Sequence, residues 1–161
     1  MSLEQLIPYV TVCAIAGAGM VTGLLFAFSN FVMQSLAVLE PKDGIVAMQQ
    51  INEKIINPIF LLFFLGTPLL CAVAAIYSLM NLNAVSSLFL LMGSVCYLLG
   101  PFGITIGFNV PLNDRLAKVE PKHGEEFWSE YQTKWQSWNH VRTYIGLLSM
   151  LLLGFGLASP S

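Results

Sequence analysis

Charge is what this chain lacks. Of its 161 residues, 10% are Asp, Glu, Lys or Arg, against about 25% in ordinary soluble domains. The deficit is concentrated. None of these four residue types occurs from Gln5 to Leu39, from Ile55 to Asn113, or from Thr143 to the end. Such stretches cannot cover a water-soluble surface, so the composition is that of a membrane protein. Basic residues are few as well: 7 Lys and Arg and a net charge of −2 leave no basic face for nucleic acid. The 3 cysteines, Cys13, Cys71 and Cys96, all fall in the uncharged runs and none sits in a CxxC pair. An odd, unpaired set argues against a disulfide framework or a thiolate metal site and leaves small apolar packing as their reading. No acidic residue lies inside any run, which counts against an ion-coupled pump. The opening MSLEQLIPYV has no basic region of the kind that precedes a cleaved signal, so the first run is expected to stay as an anchor.

What is present is apolar length. A helix needs about 20 apolar residues to span a bilayer. With a polar break at Asn81-Leu82-Asn83, the uncharged runs predict spans near 7–30, 58–80, 84–108 and 140–158. The expected fold is an all-α, four-helix transmembrane bundle forming one domain over 1–161. Lys42 and Lys54 lie between spans one and two, and Arg115, Lys118, Lys122, Lys134 and Arg142 between spans three and four or at the mouth of the last. With four spans both loops share a side, and the positive-inside rule makes it cytoplasmic. The expectation is an integral protein of the plasma (inner) membrane with both termini outside.

The chain is also written twice. LAVLEPKDG begins at Leu36 and LAKVEPKHG at Leu116, half the chain apart. Asn30 precedes the first copy and Asn109 the second; Asn52 and Asn57 follow the first and Asn139 the second. EPK-x-G could be no more than a repeated helix stop, but matching asparagines on both flanks favour a duplicated unit of span, basic loop and span. The repeats are about 1–80 and 81–161. Two spans per unit give both copies one orientation, related by a pseudo-twofold axis along the membrane normal. Asn30, Asn57, Asn109 and Asn139 would then ring that axis near one surface. A lone carboxamide in hydrocarbon reads as interhelical glue, whereas four at matching positions read as a lined cavity.

The halves differ where chemistry would sit. INEKIINPIF lacks His, Trp and Arg; WQSWNHVRTY has all three. On a helix Tyr131, Trp135, Trp138 and Arg142 share a stripe, with His140 and Tyr144 on another face. Singly, Trp128 and Trp135 read as interfacial anchors, Arg142 as a side chain snorkelling to headgroups and His140 as a loop cap. Jointly they read as a site. The third span is broken by Gly100-Pro101, Gly103, Gly107 and Pro111, and broken backbone at membrane depth is tolerated where it lines a cavity. Asn109 and Asn113 could face inward and hold a ligand carbonyl or hydroxyl. His123, in the EPKHG turn, reads as a loop residue.

FSNFVM, INxxxxNPxF, NVPLNDRL and WQSWNHVRT resemble a small four-helix integral membrane family, grouped as a domain of unknown function, that includes the anthrone-oxygenase-like proteins. The resemblance covers most of the chain, with Gln34 standing where the family would have proline. It implies Asn30, Asn57, Asn109, Pro111, Asn113, Trp138, Asn139, His140 and Arg142 as motif positions, and oxidation of anthrones to anthraquinones without a recognised cofactor. Such carbon acids lose a proton to give an anion that meets oxygen directly. The expected roles are His140 as base, Asn139 and Arg142 as donors to the oxyanion, and Asn30, Asn57, Asn109, Asn113, Trp138 and Phe108 as the substrate wall. No metal or cofactor is expected. A bis-His haem would need a second intramembrane histidine, while a mono-His haem or a copper ion stays an open alternative. The competing functional class is a non-catalytic, homo-oligomeric module binding a lipid or another apolar small molecule.

Overall fold

The computed structural model describes residues 2–159, and among these every element is helical. α1 (Leu3–Ala27) starts on a capping box: the Ser2 hydroxyl accepts from Gln5 N while the Gln5 side chain accepts from Ser2 N. It passes through a π-helical turn (Phe28–Val32) into α2 (Met33–Ala37). After a short turn α3 (Pro41–Lys54) begins, with Pro41 in the first turn, where no N–H is needed. α4 (Pro58–Met80) is capped by Asn57, whose Oδ1 accepts from Phe60 N at 3.1 Å. α5 (Val85–Tyr97) continues as a π-helical segment (Leu98–Asn109) and α6 (Val110–Leu116). A 3-10 turn (Pro121–His123) leads into α7 (Glu125–Ala158).

The four apolar helices are Leu3–Ala37, Pro58–Met80, Val85–Leu116 and Glu125–Ala158, the expected number at the expected places; the second keeps the expected bounds and the other three are longer than expected. α7 has 34 residues, about 51 Å at 1.5 Å per residue, against roughly 30 Å of hydrocarbon. Its first turns must therefore project beyond the apolar layer. The stretch before span two, expected as a loop, is the amphipathic helix α3, which buries Gly44, Ile45 and Met48. Gly44 is needed there, because a Cβ would stand 2.9 Å from the Trp128 ring.

α1 packs on α4 and α7, and α5 packs on the same two helices, an up-and-down square in which α3 closes one end. These are the neighbours any four-helix bundle of this order has. Ile55–Asn57 interrupt the path from α3 to α4, whereas α7 runs unbroken from Glu125 to Ala158. Two apolar cores result. One, under α3, joins Met33, Leu36, Ile45, Met48, Leu112, Leu116, Trp128, Tyr131 and Trp135. The other, in the bundle, joins Ile7, Ala14, Ala18, Cys71, Leu90, Tyr97 and Leu153. The three cysteines are free.

Candidate functional site

Between the two cores, α7 carries a cation. Arg142 is 5% exposed and Asn139, one turn before it, is wholly buried. The Asn139 carboxamide is oriented by chemistry. A guanidinium only donates, so the atom that meets Arg142 Nε at 3.0 Å and Nη2 at 2.8 Å is the carbonyl Oδ1. Its Nδ2 then donates to Leu25 O at 2.8 Å and Ser29 Oγ at 2.7 Å on the α1 side. Thr143 Oγ1 donates to Asn139 O at 2.7 Å and lies 3.2 Å from Ser29 Oγ. On the other side Arg142 Nη1 donates to Thr105 Oγ1 at 2.9 Å, in the π-helical segment that contains Gly100-Pro101. Proline has no N–H to continue the helical ladder; in this wider segment Val110 N reaches back to Thr105 O, and the Thr105 hydroxyl donates to Pro101 O. The guanidinium carbon stands 5.0 Å from the Trp135 ring centroid.

The arrangement leaves Arg142 unbalanced. Three of its five N–H groups are used, all on neutral oxygens. The ion pairs among the described residues join Lys54 to Glu53 and Glu130 to Arg115 and Lys134; none involves Arg142. A buried charge ordinarily has an opposite charge beside it.

Arg142 forms part of the wall of a 640 Å³ cavity bounded by α1, α3, α4, the second π segment, α6 and α7. Phe28, Phe60, Phe64 and Trp135 give it aromatic surface; Thr105, Asn113, Asn52 and Gln49 give it polar atoms. Six consecutive residues of α3, Met48 to Glu53, form its roof. Ile56 and Val110, exposed apolar residues, share the wall with the exposed carboxylates Glu53 and Asp114. The mouth thus lies where apolar surface gives way to charge.

Asn113 Oδ1 accepts from Tyr131 OH at 2.8 Å and from Trp135 Nε1 at 2.9 Å. Tyr131 in turn stacks on Trp128, with ring centroids 5.6 Å apart. Trp128 and Trp135 are therefore buried members of the core under α3 rather than lipid-facing anchors. Gln49 Nε2 fastens α3 by donating to Leu116 O at 2.9 Å and Val119 O at 3.0 Å.

Of the residues expected at the site, Arg142 and Asn113 line the cavity, with Asn139 directly behind Arg142. Asn139 has no donor left for a ligand, since its amide is spent on α1. Asn109 is 1% exposed and donates to Trp135 O at 3.2 Å, outside the cavity wall. Half-buried Trp138 packs against the core under α3 and stacks at 3.9 Å on the exposed Phe108; neither lines the cavity. His140 is partly buried on the same side of α7 as the exposed Thr133, Ser137 and Tyr144 and does not line the cavity. Successive helical residues turn by about 100°, so position 140 lies on the far side of α7 from 135 and 142, whereas 138 shares their stripe and sits at its edge, packed against the core under α3. The ring of four asparagines does not form: Asn30 is exposed, and Asn57 is engaged as a cap, its Nδ2 donating to Lys54 O at 3.0 Å. Thr105, Gln49 and Ser29 were not singled out by sequence. A hydroxyl inside a Pro- and Gly-broken run was the available signal for Thr105. Among the described residues no three His, Cys, Asp or Glu side chains gather as a metal-ligand set.

A family model described as Anthrone oxygenase matches residues 60–152. The match runs from the first turn of α4 into the second half of α7, and so contains Thr105, Asn113, Trp135, Asn139 and Arg142 but neither α1 nor α3. No curated protein and no solved structure matches the chain.

Proposed function

The chain belongs to the anthrone oxygenase family, and from that premise we propose that it is a membrane-embedded oxidoreductase which binds a flat, apolar carbon acid in the cavity beneath α3 and oxidises it with molecular oxygen. The observation that carries the reading is Arg142: a buried cation with no carboxylate partner among the described residues and two N–H groups unused, on the wall of an aromatic cavity. It suits a ligand that brings its own negative charge.

For an anthrone-like molecule the chemistry balances simply. Loss of a proton from the ring CH2 places negative charge on the ketone oxygen. Arg142 stabilises that oxyanion where little water competes, which lowers the cost of deprotonation. The delocalised carbanion transfers electrons to O2 and forms a C–O bond; loss of water then leaves the second ketone. One CH2 and one O2 become one C=O and one H2O. Glu53 and Asp114, at the mouth, are the carboxylates placed to accept the departing proton. Asn139 holds Arg142 in position rather than meeting the substrate. His140 has no position at the cavity wall, so a direct base role for it finds no support in the geometry.

The test uses the full chain in lipid nanodiscs with anthrone, following oxygen uptake and anthraquinone absorbance above the spontaneous background. The expected outcome is one O2 consumed per anthraquinone, and a fall of roughly 10²–10³ in rate for Arg142→Gln. Arg142→Lys should recover part of the rate by restoring the charge. A folded Arg142→Gln protein with full activity would overturn the assignment of Arg142; wild-type protein that never exceeds background would overturn the oxidoreductase reading.

A further inference from the structure

The cavity has a second polar end, and its polarity is decided by hydrogen-bond chemistry. An indole N–H can only donate. The Asn113 atom that meets Trp135 Nε1 at 2.9 Å is therefore Oδ1, and Tyr131 OH, 2.8 Å from the same oxygen, must donate to it too. Both lone pairs of that oxygen are occupied. What Asn113 has left for the cavity is its Nδ2, with two N–H groups. Asn52 lines the same cavity from α3; its Nδ2 is buried beside the Tyr131 hydroxyl without a hydrogen bond of good geometry. Leaving a buried amide N–H unpaired is unfavourable, so a group that meets it is favoured. Trp135 joins the two ends, with the Arg142 guanidinium 5.0 Å from its ring centroid and Asn113 on its ring nitrogen. Arg142 at one end of the indole and the Asn113 and Asn52 amides at the other thus offer hydrogen, while Gln49, its Nε2 spent on Leu116 O and Val119 O, adds an acceptor to the wall.

We infer that Asn113 and Asn52 are specificity-determining residues that read a second, acceptor oxygen on the ligand, such as a carbonyl, while Arg142 holds the anionic one. The inference rests on the proposed ligand site for the anionic end, but not on turnover. It commits the cavity to flat aromatic molecules with oxygen at two separated positions, and it disfavours hydrocarbons that carry a single anionic group, fatty acids included. A fatty acid would satisfy Arg142 and leave the Asn113 and Asn52 amides bare.

Two tricyclic probes of the same shape separate these cases. Anthracene-2-carboxylate has the anion alone, and anthraquinone-2-carboxylate adds ring carbonyls. Binding to the full chain in nanodiscs is measured calorimetrically, without oxygen chemistry. The quinone probe should bind about 3–10-fold more tightly, the worth of one net hydrogen bond. Asn113→Asp keeps an oxygen for Trp135 and Tyr131 while replacing the N–H donors by an acceptor, so it should stay folded and lose the preference. Asn52→Ala removes an unpartnered amide, so it should keep the melting temperature and reduce the preference. Arg142→Gln should weaken both probes together and leave their ratio. Equal affinities in the wild type, a preference that survives in folded Asn113→Asp, or no binding of either probe overturns the inference. A normal ratio with Arg142→Gln affinities unchanged would instead reject Arg142 as the anion holder and leave the acceptor-reading end standing.

Discussion

Arg142 and Asn139 work as one unit. The asparagine carbonyl takes two guanidinium N–H groups while its amide binds α1, so one carboxamide both aims the cation and joins two helices. Asn139→Ala would leave the Leu25 carbonyl without that donor and Arg142 two bonds short. Unsatisfied buried polar groups cost about 1–3 kcal/mol each, so the melting temperature in detergent should fall by roughly 2–10 °C, together with a loss of activity. His140→Ala removes a side chain from the outer face of α7 and should leave both melting temperature and anthrone turnover close to wild type. A large loss of turnover in a folded His140→Ala protein would restore histidine to the mechanism. The identity of the polar residues on α7 was legible in WQSWNHVRTY. Their division of labour was not, because sequence spacing tells which residues share a helix face but not which neighbouring helix supplies their partners.

At the scale of elements, α3 decides whether the cavity exists. It is held by the Gln49 amide on Leu116 O and Val119 O and by the close approach of Gly44 to Trp128, and it roofs the cavity with its second half. Gly44→Val would push α3 off the Trp128 ring, and Gln49→Ala would free its C-terminal half. Both should speed hydrogen exchange over 45–54 and raise the probe dissociation rate, while exchange in the middle of α4 stays slow. Unchanged dissociation with faster exchange would show that ligands do not pass beneath α3. Sequence reading expected a loop here, because the charged residues Lys42, Asp43, Glu53 and Lys54 interrupt the apolar pattern on which span prediction depends. The helix is amphipathic, and its apolar side faces a core that exists only once α7 has projected beyond the bundle.

At the scale of the whole molecule, charge is segregated. All 7 Lys and Arg belong to the end that carries α3 and the first turns of α7, or to Arg142 just inside it. The start of α1, Asn81–Asn83 and the end of α7 mark the other end, where Glu4 is the only charged side chain among the described residues. The positive-inside rule then predicts a cavity that opens on the cytoplasmic side. In a cysteine-free background, single cysteines at Lys54 and Lys122 should react with an impermeant maleimide only in inside-out vesicles, and one at Asn83 only in right-side-out vesicles. Labelling of Lys54 and Lys122 from opposite sides would break the bundle order itself.

The number of spans, the helical class, the shared side of the basic loops and the family resemblance follow from the amino-acid sequence by itself. Each depends on long uninterrupted runs or on local motifs, which the chain carries whatever its partners. Only the tertiary structure decided that Trp135 and Arg142 face a cavity while His140 lies on the opposite side of α7 and Trp138 at the edge of the core under α3, that Asn57 is a cap, and that the Asn139 amide is spent on Leu25 O and Ser29 Oγ rather than on the cavity. Those outcomes depend on the angular register of α7 against α1 and the second π segment. That register is set by packing between residues far apart in the chain, so no local pattern records it.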